Sequence, residues 1–364
     1  MKISAIICEY NPFHKGHKFH IEKTKELTGS DYSVALMSGN FVQRGEVAVF
    51  DKYERAKAAI NCGADLVLQL PTPYSLSSAE FFAGGAVKIL NRLNVITHLS
   101  FGSECGDINL IRDTAKKLLS EEVQSKIKEN MKTGIPVFKA IENASGSEIL
   151  SSPNNILAVE YLKALIKEKS SIIPVTLKRE GDYHSESTDE IFSSATAIRS
   201  IIHENDYSQL VPEEAYEIFK NHTPRSEKII ESAIIYSLRV KKPSDLLKYP
   251  DVSEGLENAI INAANKFDTL EDIIMAVKTK RYSYTRIRRI IYNIFLDIDK
   301  SLRSAEPEYV KVLDFNEKGR EILREIKENS QIPAIANVNK NMYEKYVMLN
   351  EEKKYDNILQ FFYK

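Results

Sequence analysis

The 364-residue sequence predicts an α/β fold: a parallel-sheet domain over residues 1–204, followed by a mainly helical domain over residues 205–364. Three observations predict it. Short apolar runs rich in β-branched residues recur in the first half, at residues 3–8, 32–37, 66–70, 96–101 and 172–177. Stretches of helical spacing lie between the early runs, at 18–27, 52–62 and 79–93. Beyond about residue 205 the strand signal gives way to amphipathic periodicity. Strands alternating with helices form parallel sheets, and runs apolar throughout suit strands covered on both faces.

Taken in order, the run 3–8 opens the sheet and is followed by EYNPFHKGH. The run 32–37 leads into SGNFVQRGE, 66–70 into QLPTPYS, and 96–101 into FGSECGD. Loops after the carboxyl ends of strands carry the ligands in such sheets. Residues 108–170 read as mostly helical, with Pro153-Asn154-Asn155 starting one helix. The run 172–177 closes the strand series. In the second half, 213–221, 228–239, 257–267, 270–277 and 284–299 carry helical spacing. Residues 307–335 read as a short strand, a helix and another strand, a small cap.

Composition narrows the classes. A 43% hydrophobic content with 50 basic against 51 acidic residues fits a soluble globular protein. The net charge of −1 excludes no nucleic-acid partner, because a local basic patch suffices. No apolar run approaches the roughly 20 residues that span a bilayer, so no membrane partner is expected. The amino terminus lacks the pattern of a signal peptide. Three scattered cysteines, Cys8, Cys62 and Cys105, form neither a disulfide framework nor a zinc spacing. A reducing, cytoplasmic compartment without disulfide partners is the expectation.

Two motifs carry chemistry. The first is His14-Lys15-Gly16-His17, directly after the first strand. Two imidazoles flanking a glycine at a helix start can donate to phosphate oxygens, while the helix end favours the anion. Two unrelated surface histidines or an i, i+3 metal pair are the alternatives, and the sequence shows no third ligand cluster. The second is Ser193-Ser194-Ala195-Thr196-Ala197-Ile198-Arg199, where hydroxyls and a guanidinium at a helix start suit a triphosphate tail. Taken alone, an ordinary Ser/Thr N-cap explains it as well as any ligand does or better. No GxxxxGK[ST] phosphate loop is present.

A strand–HxGH–helix in the first 20 residues, paired with a Ser/Thr-rich loop ending in Arg, resembles the HIGH-type nucleotidyltransferase superfamily. The likeness is closer still. EYNPFHKGH, MSGNFVQRGE followed by DKYERA, GADLVLQLP, FGSE, SPNNILAVEYLKAL, DYHS and SSATAIRS, in that order, resemble the bacterial tRNA(Met) cytidine acetate ligase family. The resemblance spans nearly the whole chain and is most specific in residues 5–200. It departs at Gln69, where an acidic residue is usual, and at Asp314, where glycine is usual.

The resemblance implies a Rossmann-like nucleotidyltransferase domain that activates acetate with ATP. The acetyl group then goes to N4 of the wobble cytidine of elongator tRNA(Met), with Mg²⁺ expected to bridge the phosphates. It implies an ATP site beginning at Ile7 and running through Tyr10, Asn11, Pro12, Phe13, His14, Gly16 and His17 to His20. Gly102, Asn154, Lys178 and Arg179 are expected to complete it, and His14, His17, Ser194, Thr196 and Arg199 to stabilise the leaving pyrophosphate. A strand-end turn, a helix cap and a solvated charge pair are the plain readings of Gly102, of Asn154 and of Lys178 with Arg179. Gln43, Arg44, Lys52 and Arg55 are candidates to meet acetate or phosphate.

The RNA side is expected at Lys278, Lys280, Arg281, Arg286, Arg288 and Arg289, with Tyr282, Tyr284 and Tyr292 interleaved. A solvated helix face fits the same pattern. Two other functions remain open on the motifs: an adenylyltransferase for a small phosphorylated cofactor precursor, and a non-catalytic RNA-binding protein.

Overall fold

The computed structural model describes residues 1–132, 135, 137–179, 194–253 and 255–363. Nine strands form in them: β1 (Ile3–Cys8), β2 (Tyr32–Ser38), β3 (Phe41–Val42), β4 (Glu46–Val47), β5 (Leu66–Leu70), β6 (His98–Ser103), β7 (Ile173–Lys178), β8 (Val310–Phe315) and β9 (Ala334–Ile335). Seven make one sheet in the order β7-β6-β1-β2-β5-β8-β9. The five strands expected from the first half are all parallel in it. This is the Rossmann-like arrangement.

Side chains of the parallel strands alternate between two cores. Ile3, Ala5, Val34, Leu36, Leu66 and Leu68 pack with the helices Ala79–Leu93 and Pro153–Lys167. Ile6, Ala35, Met37 and Val67 face α1 (Lys15–Thr28) and α2 (Lys52–Asn61). Burial on both faces is why these strands read as unbroken apolar runs. From β1 the chain first winds through β2 to β5, then returns to β6 and β7 on the other side. The winding reverses between β1 and β6, and a crevice opens there at the strand carboxyl ends.

Three features go beyond the sequence expectation. SGNFVQRGE is not a plain loop: it folds back as the β3–β4 hairpin. The segment read as a small cap supplies the sheet's edge, β8 running antiparallel to β5 with Leu68 opposite Val312. And the helix Val347–Phe362 ties the two halves together. Its buried Glu352 accepts hydrogen bonds from Gln69 Nε2 and from the backbone N–H and hydroxyl of Thr72.

In the second half, the helices Glu231–Arg239, Leu256–Lys266, Leu270–Val277 and Tyr284–Leu296 share a third core. The expected stripe Ile287, Ile290, Ile291 and Ile294 is buried in it. Phe41, Val47 and Leu76 of the sheet half join the same core. The Tyr284–Leu296 helix therefore lies directly on the hairpin. Gly45, at φ +79°, makes that approach possible, since a Cβ there would come within 2.8–2.9 Å of the Arg288–Arg289 backbone. Among the described residues no helix is long and apolar enough to cross a membrane.

Candidate active site

The crevice between β1 and β6 is a cleft of about 290 Å³. Of the expected ATP-site residues, Ile7, Tyr10, Asn11, His14, His17, His20, Gly102, Asn154 and Arg179 line it, together with Ser194, Thr196 and Arg199. Two motifs separated by about 180 residues in the chain thus meet at one place.

His14 caps α1, and its Nδ1 accepts the Gly16 N–H at 3.1 Å. His17 Nδ1 accepts the His14 N–H at 3.2 Å. Histidines thus fill both places of a capping box. A nitrogen that accepts a backbone N–H holds no proton, so each neutral ring carries its hydrogen on Nε2. The rings stack with centroids 3.7 Å apart, and Tyr10 braces His17 at 4.8 Å. Burial, then the charges of Arg179 and Arg199, push the His14 pKa down to about 3. His17 lies well below its usual value, first from burial and then from His14. His20 falls to about 4 through burial and Arg179. Its Nε2 meets Ser100 Oγ at 3.1 Å, and Ser100 in turn accepts from Thr24. The three histidines are therefore neutral hydrogen-bonding groups. Positive charge comes from arginines.

Arg199 Nη1 donates to the Asn11 carbonyl at 2.8 Å, and Nη2 lies 3.4 Å from Glu46. The Thr196 hydroxyl accepts from both Arg44 and Arg199 at 3.4 Å. Ser194 is the N-cap of the Ala195–Ile201 helix, accepting the Ala197 N–H. Ser193 and the DYHS motif lie outside the described residues. Asn11 Oδ1 accepts from Val49 N–H, whereas its buried Nδ2 has no protein partner. That orphaned donor at the cleft wall fits an anionic or nucleotide acceptor.

Several expected residues have other positions. Pro12 and Phe13 are buried beneath the cleft, and Phe13 packs on Tyr10 and His17. Gly16 gives its N–H to His14. The Lys178 side chain lies over the Gly106 turn, while Arg179 beside it lines the cleft. A Cβ at Gly102 would press on the Arg179 stem at 3.1–3.2 Å, so the glycine makes room for Arg179. Asn154 Nδ2 donates to Glu104, whose carboxylate also accepts the N–H groups of Asn154 and Asn155. The start of the Pro153–Lys167 helix is thereby filled by a protein carboxylate. Glu104 stands in FGSE, and only the fold shows what it caps.

Of the further candidates, Gln43 and Arg44 line the cleft. Lys52 and Arg55 do not: Lys52 is 1% exposed and ion-paired with Asp356 at 2.6 Å. Arg55 is fully buried, and its guanidinium ties the carbonyls of Glu9, Ser38, Gly39 and Phe50 together. The basic helix face needs the same correction. Tyr292 is fully buried and cannot stack on a base. Arg288 pairs with Glu227 and donates to the Gly45 carbonyl at 2.8 Å, and Arg289 reaches the Gln43 carbonyl. Lys278 and Lys280 remain exposed. No group of three His, Cys, Asp or Glu side chains among the described residues could hold a metal.

Neutral imidazoles and arginines thus converge on the β1–β6 switch point, an arrangement suited to the phosphates of a nucleotide. A family model described as HIGH Nucleotidyl Transferase accordingly matches residues 1–364. A tRNA(Met) cytidine acetate ligase of Clostridium perfringens is 43% identical, over 93% of this chain and 90% of that protein. One of Thermoanaerobacter sp. (strain X514) is 45% identical, over 93% of this chain and 89% of that protein. The crystal structure of Thermotoga maritima TmcAL bound with alpha-thio ATP matches at 31% identity with a TM-score of 0.92, covering all of this chain and 95% of that one. The chain belongs to the tRNA(Met) cytidine acetate ligase family of HIGH nucleotidyl transferases.

Proposed function

We propose that the chain is an ATP-dependent ligase that activates acetate and transfers acetyl to N4 of the wobble cytidine of elongator tRNA(Met), in the cytoplasm. The observation that carries the first step is the pair of Nε2–H donors on His14 and His17, fixed by backbone N–H groups on their other nitrogens. An acetate oxygen attacks the ATP α-phosphorus and the bond to the β-phosphate breaks, giving acetyl-adenylate and pyrophosphate. Charge builds on the leaving pyrophosphate as this happens. Donors whose rings the fold already holds in place cost little reorganisation, and Arg199, Arg179 and Arg44 line the same cleft as countercharge.

ATP fits the cleft's chemistry, with the unpaired Asn11 amide among its donors and Phe82, Phe101, Leu157 and Tyr161 forming an apolar side. Mg²⁺, when bound, would neutralise phosphate charge; among the described residues no group of three His, Cys, Asp or Glu side chains gathers to hold it.

The sequence division at residue 204 is kept with one change: residues 1–204 completed at the sheet edge by β8 and β9 are taken as the catalytic unit, and the helices between residues 205 and 305 as the RNA-binding one. Supporting this, Lys278 and Lys280 are exposed beside the start of the helix that rests on the active-site hairpin. Pyrophosphate release measured with and without acetate and tRNA tests the reading. Release that depends on acetate and is coupled to acetylated tRNA is expected. Release indifferent to acetate would point to another acceptor, and none at all to a binding protein.

A further inference from the structure

One group in the cleft works against phosphate binding. Glu9 follows β1, and among the described residues that line the cleft it is the only carboxylate. A negative charge beside a triphosphate repels it, so nucleotide affinity gives no reason for its presence. Yet the residue is firmly held. Its Oε1 accepts the Gln43 N–H at 2.7 Å, and its carbonyl accepts from Arg55. Arg44 and Glu46 face it from the hairpin, and Arg199 from the Ala195–Ile201 helix.

Amide formation, the second step of the proposed reaction, needs a proton acceptor. When an exocyclic amine attacks a carbonyl carbon, its nitrogen becomes positive and must release a proton. His14 and His17 cannot take it, since Nδ1 of each is occupied by a backbone N–H and Nε2 already bears hydrogen. His20 Nε2 is engaged with Ser100. Burial resists a positive charge on all three rings.

We propose that Glu9 is a further catalytic residue, the proton acceptor of the acetyl-transfer step, an inference that rests on the ligase reading above. The cytidine N4 lone pair forms the C–N bond with the acetyl carbonyl carbon. The bond from that carbon to the phosphate oxygen breaks, and its electron pair leaves with AMP. One N4 proton passes to the Glu9 carboxylate and on to water. Burial raises the carboxyl above its usual range, which brings it nearer the pH at which a general base works best.

The test compares two rates in Glu9→Gln, which keeps an oxygen for the Gln43 N–H. One is acetate-dependent exchange of labelled pyrophosphate into ATP, and the other is acetylation of tRNA. The ratio of transfer to exchange is expected to fall by about 10²–10⁴-fold, the range for a positioned acid–base group. Glu9→Asp is expected to recover part of the transfer and to keep the acid limb of its pH profile, which Glu9→Gln lacks. Thermal unfolding of both variants checks that they fold. Two rates falling in step would make Glu9 part of nucleotide or metal binding and overturn the assignment, as would no loss in either. Absence of acetate-dependent exchange in the unaltered enzyme would instead overturn the ligase reading, and the role of Glu9 with it.

Discussion

At His14, the Gly16 N–H occupies the imidazole nitrogen that would otherwise take up a proton. The unfolded chain has no such constraint, so its His14 protonates near pH 6.5 while the folded one waits until about 3. A depressed pKa means that stability is lost as pH falls through this window. By pH 5.5 the loss from His14 alone is about 1.4 kcal/mol. Urea unfolding at pH 7.5 and 5.5 should show a loss about 1.4 kcal/mol larger in the native protein than in His14→Gln, where His17 and His20 still contribute theirs. Parallel losses in both would return His14 to ordinary titration. His17→Ala should lower acetate-dependent ATP turnover by about 10²-fold or more, as expected for a lost preorganised donor, in a protein that still folds but is less stable by about 1 kcal/mol through the lost cap. Turnover near the starting level would remove His17 from the phosphate site. These histidines were legible because chemistry and position coincided in nine residues. Arg55 and Lys52 were not: a buried cation looks like a surface one until its distant partner, here Asp356, is in place. Gln69 is a like case. Its amide donates to the buried Glu352 carboxylate, where the usual acidic residue would add a second negative charge.

Helices and strands were easier to read than their neighbours. The stripe Ile287, Ile290, Ile291 and Ile294 placed the Tyr284–Leu296 helix on a core correctly, but period alone cannot tell which polar residues on its flanks face water. Arg288 faces Glu227 and the hairpin, so removing its charge would test packing more than RNA contact. Lys278 and Lys280 give a cleaner probe. Their joint replacement by Gln should raise the tRNA dissociation constant and reduce the log–log salt slope by roughly 0.7–0.9 per lost phosphate contact. ATP use without tRNA should change far less. A salt slope equal to that of the native protein would move the RNA surface elsewhere, Arg44 at the cleft mouth being the next position to test. The hairpin itself escaped the sequence reading because each of its strands has only two residues, too few to establish a period.

Over the whole molecule, the parallel character of the sheet was legible because the early strands and the helices that follow them are close in sequence, although their order was not. Nor was the edge. β8 finds β5 across the entire helical half, and no local pattern announces so remote a partner. A chain ending at residue 305 would lose β8, β9 and the helix Val347–Phe362. It would expose the β5 edge and strand Lys52 without Asp356, a buried charge whose lost partner costs about 3–5 kcal/mol. Aggregation is expected in size-exclusion chromatography, and a monomer that binds ATP normally would show the edge to be dispensable. The same connection has a consequence in time. Ribosomes deliver about 5–20 residues each second, and domains generally fold as they emerge. This sheet cannot close on that schedule. With Leu66–Leu70 made early and Val310–Phe315 near the end, the nascent chain must carry an open strand edge through most of its synthesis. A chaperone covering that edge until release is the helper such a topology calls for.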